Sequence, residues 1–548
     1  MLNNTPKLDQ DGDAGGKIFD VVIVGAGFSG CYQLHLLREA GFSVKVLEIG
    51  DDIGGTWYFN RYPGARCDVE SMQYCYSFSE ELTEKWVWSE RYSSQKEILD
   101  YIFQAAEMYG WRRDIQFNTR VVSVAQSSSN TNWVIQTEIG EVFSAKFCIF
   151  ASGNLSSTKK VEFEGLETFK GKWYHSAHWP EDGINLAGKR IGVVGTGSTG
   201  IQLIPVLAEE AGHLTVFQRT ANFSIPAHNS TLSVDRQNAI KAEYEVFRDV
   251  MRNNDAGMFV EVGTKSVREV TVDEVHNELE RRWQIGGAGQ FASAFNDVMT
   301  NEVSNKIFAD FVRNKIRKTV KDQDVAEKLC PIDHPFGSKR ICVDSNYYQT
   351  FNRENVSLVD LRSAPLMKVT ADGVMTSEAE YELDVLIFAI GFDAMTGALS
   401  EISIVNNQGK SLKGKWVNGP ETFLGLATSG FPNLFFITGP GSPSVLSNML
   451  VSIEQHVEWV TKCLIFMREK KFDAIDVVAD AETNWVKHVN ELASKTLFSR
   501  ANSWFNGANI PGKKRVFIPY LGGVGVYRRI CDDIANRDYE GFTFRSTI

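Results

Sequence analysis

Apolar positions along this chain gather into short runs, separated by stretches with helical spacing. From Phe19 to Glu48 it reads FDVVIVG, then GAGFSG, then a helix-length segment to Ala40, then SVKVLE. A short apolar run bounded by glycines reads as a buried strand, so the order is strand, helix, strand. The same order returns in KRIGVVGTGSTGIQLIPVLAEEAGHLTVFQRT. Two later runs, AKFCIFASGN at 145–154 and LDVLIFAIGFD at 383–393, are strands that can return beneath these two units. Between Phe223 and Ile332 charged residues become frequent, and DEVHNELERRWQI and NKIFADFVRNKIRKTV carry helical periodicity, which predicts a helical insertion at 223–332.

Each unit's first strand runs into GxGxxG, at Gly25, Gly27 and Gly30 and again at Gly195, Gly197 and Gly200. In such a turn the first glycine permits the tight bend, the second lets a pyrophosphate approach the backbone, and the third lets helix pack on strand. Phe28 and Ser29 flank the first turn, and Thr196, Ser198, Thr199, Ile201 and Gln202 the second, where helix N-termini offer N–H groups and a positive dipole end to phosphate. One such turn alone often serves packing only. Here strand, helix and a following acid are in register.

The difference between the copies carries information. Glu48 closes the second strand of the first unit, where a carboxylate accepts from a ribose diol; the second unit ends instead in Arg219 and Thr220, suited to a 2′-phosphate. These residues predict FAD at the first turn and NADPH at the second. The expected class is α/β, with two Rossmann-like dinucleotide-binding domains. Residues 17–155 with 391–548 form the FAD domain, 156–222 with 333–390 form the NADPH domain, and 1–16 are a disordered tail.

Bulk properties narrow the partners. The 548 residues are 43% hydrophobic with a net charge of -11 and no sustained basic run, which argues against nucleic acid. No apolar stretch reaches the roughly 18 residues of a membrane span, and MLNNTPKLDQDGDAGG is too polar for a signal peptide. Eight cysteines without a CxxC pair fit reduced thiols in the cytoplasm and argue against a disulfide-reductase centre. His175 and His178, without a Cys or carboxylate cluster nearby, make a poor zinc site, so no metal is expected. The oligomeric state stays open, a monomer being compatible.

Between the turns, ETFKGKWYHSAHWPED places Phe169, Gly171, His175, Trp179 and Pro180 in the spacing FxGxxxHxxxW[P/D]. GGTWYFNRYPGARCD fits GxWxxxxYPGxxxD at Gly55, Trp57, Tyr62, Pro63, Gly64 and Asp68, and SWFNGANIPGKKR carries Trp504. On these motifs the chain resembles the type I Baeyer–Villiger monooxygenases from about residue 17 to its end, in pattern nearest the members acting on aryl-substituted and steroid ketones. The resemblance implies that NADPH reduces the flavin and O2 adds to give a C4a-peroxyflavin. Its anion attacks a ketone, and the adduct rearranges to an ester or lactone while the other oxygen becomes water.

The resemblance also implies roles. Arg340, in HPFGSKRICVD, matches the active-site arginine and Asp68 the acid that aims it, a task arginine suits because it keeps its proton. Lys339 joins Arg219 and Thr220 on the 2′-phosphate. Trp57, Tyr74 and Met449 line the flavin, Thr56, Arg66 and Val121 are further cofactor-binding positions, and Trp504 lies near NADPH. The match to His175 sits in the linker between the domains and couples their motion, and GPGSPSVLSNM at 439–449 is the substrate-pocket loop. Read without the family, Arg340 is a structural ion pair and the aromatics are plain packing. Three rivals stand: an N- or S-oxygenating flavin monooxygenase, whose fingerprint ends in Tyr or Phe rather than Trp179; a non-oxygenating dehydrogenase, which needs no Arg340 and Asp68 pair; and a non-enzymatic NADPH sensor.

Overall fold

A computed structural model describes residues 17–128 and 131–546; the expected tail at 1–16 lies outside them. Strand Lys17–Val24 pairs in parallel with Val44–Leu47 on one side and Val142–Phe150 on the other. Val21 to Val24 are all buried, the mark of a parallel sheet covered on both faces. The sheet runs on through Ile115–Gln116 at one edge. On the other side antiparallel strands Trp133–Thr137 and Val121–Gln126 lead to Ser403–Val405. Strand Leu434–Phe436 also pairs with Val142–Phe150, so the chain beyond 391 comes back to the sheet that residue 17 begins.

A second sheet holds five parallel strands in the order Val356–Asp360, His213–Gln218, Arg190–Val194, Val385–Phe388, Lys172–His175. The returning strands read at 145–154 and 383–393 are observed as Val142–Phe150 and Val385–Phe388, each beside the strand that enters its glycine turn. The fold is α/β with two dinucleotide-binding sheets.

Helices dominate the insertion, but they divide between the two bodies. Helices Val234–Ala242 and Tyr244–Asn253 lie on the first: the Gln237 amide exchanges hydrogen bonds with the Trp88 backbone at 2.8 and 2.9 Å, and Phe247 and Met251 pack with Val451 and Val524. Helices Val272–Ile285, Glu302–Thr319 and Gln323–Leu329 send Leu279, Phe308, Ile316 and Leu329 into the core under Ile191, Val193 and Val216 of the second sheet. An amphipathic pattern shows that a helix has an apolar face, not which core receives it.

The two covalent connections between the sheets run side by side. The Lys159 amide donates to Gly391 O at 3.2 Å, Asp393 to Ser157 O and Met395 to Asn154 O, each at 2.9 Å. Segments 154–159 and 391–395 thus form a paired crossing directly beneath the 438–446 loop.

Candidate active site

The glycines of each turn do different work. A Cβ on Gly25 would lie 2.6 Å from Ala151 O, and one on Gly30 would lie 1.9 Å from Gly25 O. In the second turn Gly195 would meet Ala389 O at 2.4 Å and Gly200 would meet Gly195 O at 2.2 Å. These four are required by the chain itself. Gly197 is extended, at φ −80°, and a Cβ there would meet nothing within 4 Å. No protein contact requires its smallness. Helices Phe28–Glu39 and Ser198–Glu210 start with no side-chain cap and no acid in the first turn, whereas Gln95–Tyr109, Val272–Ile285 and Glu302–Thr319 are capped by Ser94, Thr271 and Asn301. Uncapped N–H groups fit a pyrophosphate at each turn, beside an open glycine at the second; at the first, a Cβ on Gly27 would touch Gly55 Cα at 3.4 Å.

Around the second turn, the Thr196 hydroxyl donates to Thr220 O at 2.9 Å and ties the turn to the strand end, while Ser198 Oγ lies 3.3 Å from Cys342 Sγ. Ile201 is turned away: its side chain is in the core, and its N–H closes the first helical turn onto Gly197 O at 2.9 Å.

Glu48 is buried at the first turn, accepting from Ala26 N at 2.5 Å and Gly50 N at 2.8 Å. Burial pushes its carboxyl up, and those amides pull it back toward the ionised form a ribose hydroxyl requires. Arg219 is exposed just past strand His213–Gln218. Lys339 and Lys159 stand close enough that its charge adds to burial in depressing both amines. Lys159 is an addition the sequence hid, because it lies on the linker, 60 residues before Arg219 and outside any motif. Three cations gathered at one strand end repel one another and are relieved by a dianion.

Asp68 and Arg340 meet across the two bodies. Gly64, at φ +81°, brings the 55–68 segment onto helix Ser198–Glu210 so closely that a Cβ would lie 2.4 Å from Gln202 O. The Gln202 side chain then stitches the contact: Oε1 accepts from Tyr62 OH at 2.8 Å, and Nε2 donates to Arg66 O at 3.1 Å and Asp68 Oδ1 at 3.4 Å. Tyr62 also contacts the Thr199 hydroxyl. The Arg66 guanidinium points elsewhere, to Glu90 at 2.9 Å and Tyr92 O at 3.0 Å.

Asp68 Oδ2 sits 3.4 Å from Arg340 Nη2, and Arg340 Nη1 donates to Val445 O at 2.9 Å. Burial raises the Asp68 carboxyl and the guanidinium opposes it. Arg340 itself remains half-buried.

Near this pair Trp57 Nε1 donates to Tyr74 OH at 3.1 Å, and the Tyr74 ring lies 5.9 Å from that of Phe28, behind the first turn. Ser29 Oγ reaches Ala151 O at 3.4 Å. Thr56 is exposed at the start of helix Thr56–Phe59, and Val121 packs with Val24 and Leu47 under the same turn. Met449 and Trp504 share an apolar cluster with Leu155, Met395, Val445 and Leu446.

His175 is buried, with Nδ1 accepting from Ala177 N at 3.1 Å. Burial, then nearby His178, brings its pKa down to about 4, so the ring is neutral at pH 7. The unfolded chain takes this proton near pH 6.5. The stability His175 contributes is therefore intact above about pH 6.5 and drains away as pH falls toward 4. In thermal melts, His175→Gln should lose less Tm than the parent between pH 7 and pH 4.5. Parallel curves would remove the histidine from the acid limb.

Comparison with known proteins agrees with this geometry. Residues 19–229 match the model of the flavin-binding monooxygenase-like family. A Baeyer-Villiger monooxygenase from Pseudooceanicola batsensis is 38% identical over 527 residues, 96% of each chain. The chain belongs to the Baeyer–Villiger monooxygenases. Its fold matches that of an oxidized steroid monooxygenase bound to NADP with a TM-score of 0.93 at 45% identity, covering 97% of this chain and 100% of the other. A complex of OTEMO with FAD and NADP gives 0.93 at 38% identity, covering 96% of this chain and 100% of the other. The enzyme is an FAD- and NADPH-dependent monooxygenase. Among its described residues no helix is long and apolar enough to cross a membrane, and no group of three or more His, Cys, Asp or Glu side chains could hold a metal ion.

Proposed function

We propose that Arg340, aimed by Asp68 and Val445 O, is the group that stabilises negative charge during oxygen transfer, and that the first turn with Glu48 holds FAD while the second with Arg219, Lys339 and Lys159 holds NADPH. The observation that carries this reading is the Asp68 and Arg340 ion pair at 3.4 Å, in which Arg340 is also held by Val445 O and stays only half-buried. Bound FAD, reduced by NADPH, supplies the electrons and activates O2. The protein's share is electrostatic and steric: a fixed cation costs no reorganisation when charge develops beside it. The overall conversion is ketone, O2, NADPH and a proton to ester or lactone, water and NADP+.

On this reading residues 17–155 and 391–548 form the FAD domain, 156–222 and 333–390 the NADPH domain, and 223–332 the insertion shared between them. The apolar cluster of Leu155, Val445, Leu446, Met449 and Trp504 favours a ketone with an apolar body. Both turns and Arg340 come from one chain, so a monomer suffices, and eight buried free cysteines suit the cytoplasm. Product analysis under 18O2 with cyclic, linear and aryl ketones tests the reading. One labelled oxygen should enter the ester and none the recovered ketone.

Cofactor choice follows from the cation cluster. Losing one charge-assisted hydrogen bond costs about 1.5 to 3 kcal/mol, and with Lys159 and Lys339 left in place the lower end applies. Arg219→Ala should raise KM for NADPH about tenfold and leave NADH use nearly unchanged. Equal losses with both cofactors would make Arg219 structural.

A further inference from the structure

Three residues other than glycine adopt left-handed backbone at the point where the linkers cross: Met395 at φ +71°, Thr438 at +55° and Ser444 at +46°. A β-branched threonine in that region is strained, and strain persists only where surrounding contacts over-determine it. Asn154 touches all three. Its Nδ2 donates to Ser444 Oγ at 3.0 Å and Thr438 Oγ1 at 3.5 Å, and its carbonyl accepts from Met395 N at 2.9 Å. Ser444 Oγ lies 3.8 Å from Met395 Sδ, which closes the circuit. From the other side, His456 Nδ1 accepts from Thr438 N at 2.8 Å. Every member of this cluster is buried.

The residue after Ser444 is Val445, whose carbonyl seats Arg340. We propose that Asn154 is a positioning residue for oxygen transfer. It clamps the 438–446 loop onto the crossing of both linkers, and so fixes where Val445 holds the Arg340 guanidinium. This rests on reading Arg340 as the charge-stabilising group. The amide suits the task because both of its hydrogens are spent on hydroxyls of one loop, while the backbone of the same residue belongs to the crossing. A displaced Val445 carbonyl leaves the arginine in place but aimed elsewhere, which harms oxygen transfer more than cofactor binding.

The test uses the full-length holoenzyme with Asn154→Leu, which keeps the bulk and removes both donors, Ser444→Ala, which removes the acceptor, and the double variant. The ratio of ester formed to hydrogen peroxide released should fall about threefold to tenfold with Ser444→Ala, the loss expected of one neutral hydrogen bond, and at least as far with Asn154→Leu, which removes two. The double variant should be no worse than Asn154→Leu, because the Asn154–Ser444 bond is lost in both single variants. Hydrogen exchange of the apoprotein gives a reading free of cofactor: amides in 438–447 should exchange faster in all three variants, with strand Lys17–Val24 unchanged.

Unaltered exchange in 438–447, or an unaltered ester-to-peroxide ratio with either single variant, would overturn the proposal. So would additive losses in the double variant. If Asn154→Leu does not fold, Ser444→Ala alone decides it. Should Arg340→Ala form ester undiminished, the reading of Arg340 fails, and the exchange data still report whether Asn154 holds the loop.

Discussion

Arg340→Ala should abolish ester formation from every ketone while its flavin still bleaches with NADPH under anaerobic conditions. Removing one preorganised donor from a developing anion costs about 3 to 4 kcal/mol, a hundredfold to a thousandfold in rate. Hydride transfer places no such charge beside Arg340 and should survive in part. In air the variant should consume NADPH and release hydrogen peroxide in place of ester. Asp68→Ala should show a milder form, since the guanidinium keeps its Val445 O anchor but loses the partner 3.4 Å away. Parallel measurement of anaerobic reduction, ester and peroxide separates the two half-reactions. Undiminished ester from Arg340→Ala would take this residue out of the mechanism.

That test bears on the part of the molecule least legible in its sequence. The turns could be read directly, because each concentrates its chemistry within about 30 residues and strand, helix and glycines fall at fixed offsets. The pairing of Asp68 with Arg340 was legible only through resemblance: 272 residues separate them, and nothing in either neighbourhood signals the other. The structure supplies the physical reason they meet. Gly64 admits helix Ser198–Glu210 to van der Waals range, and Gln202 bonds the Asp68 segment to that helix. The Gln202 side chain joins the two bodies.

Lys159 and Asn154 escaped the reading for a related reason. Asn154 ends the run read as a strand at 145–154 and Lys159 follows it outside any motif, and both act on partners more than 50 residues away. Periodicity reports which face of an element is buried. It is silent on loops that meet other loops, where these linkers do their work. The insertion fails in the same way: the periodic stretches at 273–285 and 305–320 enter the second core, whereas helices Val234–Ala242 and Tyr244–Asn253 lie on the first.

The middle glycine of the second turn offers the other large effect, and it separates cofactor space from protein space. Gly197 is extended, and a Cβ there meets no protein atom within 4 Å. Gly197→Ala should therefore fold, stay yellow and melt within a few degrees of the parent, because only the N-cap preference for glycine over alanine, about 1 kcal/mol, is lost. If that open space receives the pyrophosphate, the added methyl displaces it, and overpacking of about 1 to 3 kcal/mol raises KM for NADPH about 5- to 150-fold. Gly197→Val should be worse. Gly200→Ala is the contrasting case: its Cβ would lie 2.2 Å from Gly195 O, so the helix itself must move, and little folded protein should be recovered. Titration with NADP+ followed by flavin absorbance, alongside thermal melts, reads both outcomes. Normal NADPH affinity in Gly197→Ala would place the pyrophosphate elsewhere and detach this turn from the cofactor.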